Sequence, residues 1–211
     1  MPKILVLFYS RSGNTAALAD AIADGARSVR FSEVEVRRID DLAPAAMIDA
    51  NPAWKENRAT LASTYQTLGS PQELADYDAL ILGSPTRFGV MTAELKSVLD
   101  QVGGLWKHGA LVNKVGAAFT LASTPHGGHE TTLWSIMTPM ANLGMILVPP
   151  GYTDPVMYRA GSPYGATATV NSGHALDEAD LAAARHQGKR VAEVTGWITH
   201  AKSHTHGGHQ H

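Results

Sequence analysis

The sequence predicts an α/β fold: a doubly wound parallel sheet of five strands, with helices on both faces and inserted loops. Two continuous apolar runs, at residues 3–9 and 78–83, have the length and composition of strands that are buried on both faces. Segments with apolar residues at helical spacing follow both runs. Strand and helix segments therefore alternate along the chain, which is typical of parallel strands joined by right-handed crossovers.

The first half of the chain supplies three of the predicted strands. The run at 3–9 leads into a predicted helix at 14–29, where apolar residues recur at helical spacing. Residues 33–37 alternate charged and apolar side chains, which is typical of a strand with one solvated face. The run at 78–83 is the third strand, and an apolar stripe at 92–102 predicts the helix that follows it.

The second half supplies the last two strands. Residues 115–121 and 145–148 are apolar and short enough to be strands, and the segment at 130–143 between them is predicted to be a helix. Pro139 lies inside this helix and is expected to kink or interrupt it, because proline lacks the backbone N–H that a helix interior uses.

The last predicted helix, at 177–200, has the clearest start signal. Asp177 can accept hydrogen bonds from the N–H groups of the first turn, as capping residues do. Glu178 and Asp180 follow it, and acidic side chains are favourable at the positive end of a helix. We therefore expect the chain to end in a long helix that begins at this aspartate.

The chain is predicted to be a single domain over residues 1–201, with insertions at about 40–76 and 149–176. Long proline- and glycine-containing segments in a compact domain are usually functional or form interfaces. Trp54, inside the first insertion, is expected to pack that insertion onto the core. Residues 202–211 form a histidine-rich tail that we expect to be flexible, with adventitious metal affinity and no dedicated metal site.

The composition excludes several classes of protein. The 211 residues contain no cysteine, which excludes disulfides, Cys-ligated zinc and Cys-ligated iron–sulfur clusters. The net charge is -2, from 17 basic and 19 acidic residues, and nucleic-acid-binding domains usually carry a basic excess. The apolar run near the N-terminus is too short to cross a membrane. We therefore expect a cytoplasmic protein that binds neither nucleic acid nor membrane.

A hydroxyl-rich loop connects the first strand to the first helix. This first loop consists of Ser10, Arg11, Ser12, Gly13, Asn14 and Thr15. A junction of this kind presents free backbone N–H groups and the positive end of a helix to an anion. Neither a nucleotide P-loop nor the G-x-G-x-x-G dinucleotide motif is present. The loop therefore suits a terminal phosphomonoester, although serine and asparagine could also simply cap the helix.

Two further glycine-containing loops follow the strands at 78–83 and 115–121. The second loop consists of Pro85, Thr86, Arg87, Phe88 and Gly89, and the third of Ser123, Thr124, Pro125, His126, Gly127 and Gly128. The second loop can lay backbone donors along the edge of a flat ring, or it can be a rigid turn with a core aromatic. The glycine pair of the third loop allows a ligand to approach the backbone closely. Because ligands of such sheets bind at the carboxyl ends of the strands, the three loops predict one site.

These motifs together resemble the WrbA family of FMN-dependent NAD(P)H:quinone oxidoreductases, which have a flavodoxin-like fold. The matching segments are 10–15, 85–89, 99–106, 126–132 and 163–166. The combination of the Pro-Thr-Arg-Phe-Gly loop with the Gly-Gly-Leu-Trp sequence at 103–106 is the most specific part of the match. The chain differs from the family pattern at Ser12, at Leu143 and at His129.

The resemblance implies a cofactor, a co-substrate and roles for the loops. FMN would bind non-covalently, with its phosphate on the first loop and its ring system between the second and third loops. NAD(P)H would be the co-substrate, and Trp106 would lie over the ring where nicotinamide and quinone bind in turn. The family forms homotetramers in which neighbouring subunits help to wall the site. His126 and His129 are candidate proton donors, although a lone histidine is more often structural.

The predicted function is two-electron reduction of quinones to hydroquinones by NAD(P)H, with ping-pong kinetics through one shared site. Besides a weaker one, the reduction of azo or nitro compounds by the same flavin, two alternatives remain open from the sequence. One is a one-electron carrier of the flavodoxin type, although a net charge of -2 offers little electrostatic steering for docking. The other is an FMN-binding regulatory or interaction protein with little turnover.

Overall fold

The structure, a computed structural model, describes residues 1–205 and consists of a parallel sheet between two layers of helices. The sheet has seven strands: β1 Lys3–Phe8, β2 Glu33–Arg38, β3 Gln66–Thr67, β4 Ala79–Pro85, β5 Val115–Ala122, β6 Ile146–Leu147 and β7 Ala166–Thr169. The order is β3-β2-β1-β4-β5, and both β6 and β7 pair with β5. All pairings are parallel, so the predicted fold class is confirmed.

The number of strands is larger than the predicted five because of two short elements, β3 and β7. β3 adds a two-residue edge beside β2. The fifth predicted strand, at 145–148, forms β6, which pairs with Val115 and Gly116 of β5. β7, inside the second predicted insertion, pairs with residues 119–122 of the same strand. Because β4 pairs along the other edge of β5, β6 and β7 share one position in the sheet. The chain leaves this position after β6 and returns to it at β7.

Seven helices accompany the sheet, and they cover both of its faces. They are α1 Asn14–Arg27, α2 Ala45–Asp49, α3 Pro52–Thr64, α4 Ala93–Asp100, α5 Gly103–Lys107, α6 His129–Asn142 and α7 Glu178–Thr205. Short 3-10 turns occur at Pro71–Asp76 and Pro155–Tyr158. One buried cluster joins α1 and α7 to one face of the sheet, and a second joins α4 and α6 to the other face. This arrangement is the predicted doubly wound architecture.

The helices α1 and α7 pack backbone to backbone at two glycines. A Cβ atom added to Gly188 would lie 1.8 Å from the carbonyl oxygen of Ile22, and one added to Gly25 would lie 1.9 Å from that of Arg185. Real Cβ atoms do not approach backbone oxygen this closely, so only glycine fits at either position. The first and last helices of the chain are therefore locked together on one face of the sheet.

The predicted start of α7 is confirmed, whereas the predicted break in α6 is wrong. Oδ1 of Asp177 accepts hydrogen bonds from the N–H groups of Ala179 and Asp180 at 2.8 and 2.9 Å, which confirms the predicted cap. The expected interruption at Pro139 is wrong, since α6 continues to Asn142. Pro139 removes only the hydrogen bond that its own N–H would donate, and Met137 and Met140 on either side of it anchor the helix in the core.

The first insertion contains regular structure that its polar, proline-containing sequence does not indicate. It forms α2, α3 and β3, and Asn51 caps α3 by accepting a hydrogen bond from the Trp54 N–H at 3.1 Å. At the other end of the chain, α7 extends through Thr205, so the first four residues of the predicted tail are helical. Residues 206–211, with most of the tail histidines, lie outside the described residues. No helix within residues 1–205 has the length and apolar character needed to cross a membrane.

Candidate active site

A cavity of about 580 Å³ opens at the carboxyl ends of β1 and β4. The chain leaves β1 toward β2 on one side of the sheet and later continues at β4 on the other side. At such a switch point the loops after adjacent strands diverge and leave a crevice for a ligand. Seven of the predicted site residues line this cavity: Arg11, Ser12, Asn14, Pro85, Thr86, Arg87 and Ser123.

The first loop presents an open helix end to this cavity. Gly13 is the N-cap of α1 with a φ of 87°, and no side chain in the described structure donates or accepts a capping bond there. Ser10 Oγ instead accepts a hydrogen bond from the Gly13 N–H at 3.0 Å, which holds the turn itself. Asn14 and Ser12 bond to each other at 3.4 Å. The first turn of α1 therefore remains available to an anion, in contrast to the simple capping alternative.

The second loop is a tight turn with an aromatic side chain at its tip. Arg87 and Val90 exchange backbone hydrogen bonds at 2.8 and 3.2 Å across the turn. Phe88 has a φ of 54°, a left-handed conformation that is strained for a residue with a side chain, and its ring is fully exposed. The alternative in which Phe88 is a core aromatic is therefore wrong. Pro85, Thr86 and Arg87 of the same loop line the cavity, and a strained, exposed aromatic in such a loop is typical of a ligand contact.

Thr86 connects the second loop to the third. Its hydroxyl oxygen accepts hydrogen bonds from the Gly89 N–H at 3.1 Å and from the Thr132 hydroxyl at 2.8 Å. The same hydroxyl donates to the carbonyl of Gly127 at 3.3 Å. A Cβ atom added to Gly128, whose φ is 90°, would lie 2.7 Å from the Cα of Gly89. The two loops therefore form one unit whose relative position depends on glycine backbone contact.

The structure places the three predicted catalytic residues outside the cavity of their own chain. His126 is exposed on the third loop. His129 is buried at the start of α6, and its Nε2 donates to the carbonyl of Ala168 on β7 at 3.1 Å. Trp106 is 62% exposed and lines a separate groove of about 430 Å³ together with Leu143.

The insertion supplies one wall of the cavity, which the sequence analysis missed. The wall residues are Asn51, Ala53, Trp54, Glu56, Asn57 and Thr60. Most of them lie on α3, whose asparagine cap followed by Pro52 is a helix-start signal that could have located it. Their contact with the first loop is a long-range feature that local patterns do not indicate. Trp54 is buried, as expected, but it packs at the cavity.

The buried carboxylate of Asp41 holds Trp54 in the wall that α3 contributes to the cavity. Asp41 accepts hydrogen bonds from the Tyr9 hydroxyl at 2.8 Å and from Trp54 Nε1 at 2.9 Å. Burial, and then the bond to Asp41, raises the pKa of Tyr9 far above its ordinary value, so this hydroxyl stays a donor at all physiological pH values.

The donors around the cavity fit FMN. The open turn of α1, the hydroxyls of the first loop and the two arginines Arg11 and Arg87 match a phosphomonoester. The joined second and third loops offer glycine backbone and an exposed aromatic to a flat ring. Within the described part of the chain, no group of three His, Cys, Asp or Glu side chains could hold a metal ion.

Comparisons with known proteins find relatives over most of the chain. The family model described as NADPH-dependent FMN reductase matches residues 2–154. A NAD(P)H dehydrogenase (quinone) from Archaeoglobus fulgidus is 47% identical over 196 residues, which cover 92% of this chain and 97% of that protein. One from Nitrobacter winogradskyi is 43% identical over 202 residues, which cover 92% and 97% of the two chains.

Solved structures show the same fold. The flavodoxin, WrbA-like protein from Agrobacterium tumefaciens superposes with a TM-score of 0.63 at 23% identity, covering 94% of this chain and 99% of that chain. Oxidised Flavodoxin 2 from Bacillus cereus superposes with a TM-score of 0.61 at 20% identity, covering 91% and 99%. From the family model and these relatives, the chain belongs to the NADPH-dependent FMN reductase family, within its NAD(P)H dehydrogenase (quinone) group.

Proposed function

We propose that this protein is an FMN-dependent NAD(P)H:quinone oxidoreductase. The observation that carries the proposal is the cavity at the switch point between β1 and β4, which combines an open helix end with a glycine-linked pair of loops. Relatives that are 40–47% identical over nearly their whole length have the name NAD(P)H dehydrogenase (quinone), which supports the same activity here.

The first loop would hold the phosphate of FMN, through the N–H groups of the first turn of α1 and the hydroxyl of Ser12. Thr86 would keep the second and third loops together so that their backbone donors meet the edge of the ring system. Phe88 would offer a flat apolar face to the ring or to the substrate. When bound, FMN supplies the two-electron redox chemistry that the side chains of this protein lack.

One shared slot beside the flavin would bind the nicotinamide and then the quinone, which gives ping-pong kinetics. His126 is exposed on the third loop, whereas His129 is buried, so His126 is the better supported of the two histidine donors. The Nε2 of His129 is occupied by the Ala168 carbonyl, which supports a role in fixing the start of α6.

Assembly into a homotetramer in the cytoplasm, where NAD(P)H is available, is part of the proposal. Large exposed apolar side chains on several surfaces support association between copies. They include Phe88, Trp106, Trp134 and Tyr158. Trp106 would complete the quinone site once such a contact is made, which fits its exposure in the single chain. Light scattering of the purified protein measures the assembly directly.

The activity is tested by anaerobic titration of the FMN-loaded protein with NADH and NADPH, followed by steady-state kinetics with benzoquinone. We expect direct loss of the oxidised flavin absorbance and parallel lines in double-reciprocal plots, because the two substrates use one slot in turn. Failure of both nucleotides to reduce the flavin would contradict the enzyme and favour an electron carrier. Flavin reduction without quinone turnover would favour a binding or regulatory protein.

A further inference from the structure

The carboxylate of Asp41 is the buried centre of a cluster next to the proposed phosphate site. Only 6% of its side chain is exposed. Oδ1 accepts from the Tyr9 hydroxyl and from Trp54 Nε1, and Oδ2 lies 3.6 Å from Nε of Arg58. Tyr9 belongs to the segment that ends β1, whereas Trp54 and Arg58 belong to α3. The cluster therefore fixes the position of the insertion helix relative to the first loop.

Next to this cluster, residues of α3 contact both the side chain and the backbone of Arg11. The Arg11 guanidinium lies over the Trp54 ring, 3.9 Å from its centre. The side-chain amide of Asn57 donates a hydrogen bond to the Arg11 carbonyl at 2.6 Å. Arg11 and Trp54 both line the cavity into which the first turn of α1 opens. Arg11 is therefore exposed in the chain but restricted in conformation.

This arrangement has two electrostatic consequences for an anion in the cavity. The bond from Asn57 occupies the Arg11 carbonyl, so this negative dipole is turned toward α3. The stacking on Trp54 keeps the positive charge of Arg11 at the rim of the same cavity, where a free arginine would sample many rotamers. Holding a ligand-binding group in place before binding strengthens binding, because less side-chain entropy is lost.

We propose that Trp54 and Asp41 are positioning residues that hold Arg11 for the terminal phosphate of the flavin, so that the protein selects FMN over riboflavin. The inference rests on the proposed binding of FMN and adds to it the source of phosphate selectivity. Trp54 acts through stacking with Arg11, and Asp41 acts by anchoring the Trp54 indole N–H. Neither residue needs to contact the ring system of the flavin.

The test is titration of the flavin-free protein with FMN and, separately, with riboflavin, followed by flavin fluorescence. Arg11→Gln and Trp54→Leu are each expected to raise the Kd for FMN about tenfold, the effect of losing one charge-assisted contact. The Kd for riboflavin should stay within about twofold, because riboflavin carries no phosphate for the arginine to bind. The double variant should bind FMN no more weakly than Arg11→Gln alone, since Trp54 acts through Arg11.

Two further variants separate positioning from folding. Trp54→Phe keeps a ring for stacking but lacks the indole N–H that Asp41 anchors, so it should retain only part of the FMN selectivity that Trp54→Leu loses. Trp197→Leu removes an exposed tryptophan on α7, away from the cavity, and should change neither Kd. If Trp54→Leu does not fold, the comparison of Trp54→Phe, Asp41→Asn and Arg11→Gln against wild type tests the same selectivity.

Equal weakening of FMN and riboflavin binding, or additive effects in the double variant, would overturn the positioning role and leave a purely structural contact. Wild-type protein that binds neither flavin would overturn the proposed function as well. Wild-type protein that binds both flavins equally would overturn the positioning role alone.

Discussion

Gln187 donates a hydrogen bond of 2.8 Å from Nε2 to the carbonyl of Ala118. This bond lies in the gap between β6 and β7, which share one position beside β5. Its Oε1 accepts from the N–H of Ala166 at 2.7 Å. Ala118 lies between the part of β5 that pairs with β6 and the part that pairs with β7. A fully buried side chain of α7 thus provides the hydrogen bonds that a continuous strand would have made.

Replacing Gln187 by leucine should therefore destabilise the protein strongly. Two buried backbone groups would lose their partners, at a cost of about 1–3 kcal/mol each. Urea denaturation of Gln187→Leu measures the free energy of unfolding. Gln101→Leu is the control, because Gln101 is exposed and should change that energy by less than about 0.5 kcal/mol. Similar unfolding midpoints for the two variants would contradict the bridging role of Gln187.

Two glycines of α7 should respond in opposite directions to alanine. At Gly188 the added Cβ would meet the Ile22 carbonyl, so Gly188→Ala must push α1 and α7 apart and should cost about 3 kcal/mol or more. At Gly196 nothing lies within 4 Å, so Gly196→Ala should stabilise the helix by about 0.5–1 kcal/mol. Thermal unfolding of both variants measures the contrast. Equal melting temperatures would show that the two helices are not in backbone contact.

The contact between the second and third loops predicts a binding defect in Gly128→Ala. The backbone at Gly128 is left-handed, and a Cβ atom would collide with Gly89. We expect the Kd for FMN to rise at least about tenfold, because strain of about 1–2 kcal/mol is relieved by separating the loops. Gly104→Ala, which meets no atom within 4 Å, should bind FMN like wild type. Equal affinity of both variants would show that the joined loops do not contact the flavin.

His186 should make stability depend on pH. Burial lowers the pKa of its imidazole below the ordinary 6.5, with help from Lys189 and Arg190 and against the attraction of Asp154. Protons therefore bind to the unfolded chain first as the pH falls. This contribution to stability is complete above pH 6.5 and is lost as the pH falls through 6.5 toward the folded-state pKa.

Urea denaturation between pH 8 and pH 5 measures this pH dependence. His186→Gln should reduce the loss of stability on acidification, because the neutral amide takes up no proton. His108→Gln, at an exposed histidine, should follow wild type. A His186→Gln curve parallel to that of wild type would mean that other groups cause the pH dependence.

Trp106→Ala should separate substrate binding from flavin binding. Trp106 is largely exposed and does not line the cavity, so the Kd for FMN and the stability of the single chain should not change. We expect kcat/KM for benzoquinone to fall about tenfold or more, since losing an aromatic wall removes a contact worth more than 1 kcal/mol. Unchanged quinone kinetics would remove Trp106 from the proposed substrate site.

The long periodic elements could be predicted from the sequence because burial dictates their residues. β1, β4 and β5 are buried along nearly their whole length and appear as apolar runs. α3 could not be found in this way, since only Trp54 and Leu61 of its residues are buried. β3 is two residues long, and no residue pattern can be read in so short a segment.

Some parts of the candidate site could likewise be predicted from the sequence, and others could not. The first loop lies at the end of a recognisable strand, so its position at the cavity followed from the strand order. The contacts of Trp54 with Arg11 and Asp41 join segments more than ten residues apart, and they depend on how the insertion folds. The exposure of Trp106 likewise depends on the packing of α5, which its local sequence does not specify.

The segment between β6 and β7 leaves the sheet and returns to the same position beside β5. Because the chain re-enters the sheet at the position it left and in the same direction, strand order does not depend on how many residues lie between. Lengthening a surface loop costs little free energy. In this protein, Tyr152 stacks on Tyr158 at the surface of this segment. Changes in this segment can thus alter the surface at this edge of the sheet without altering the strand order.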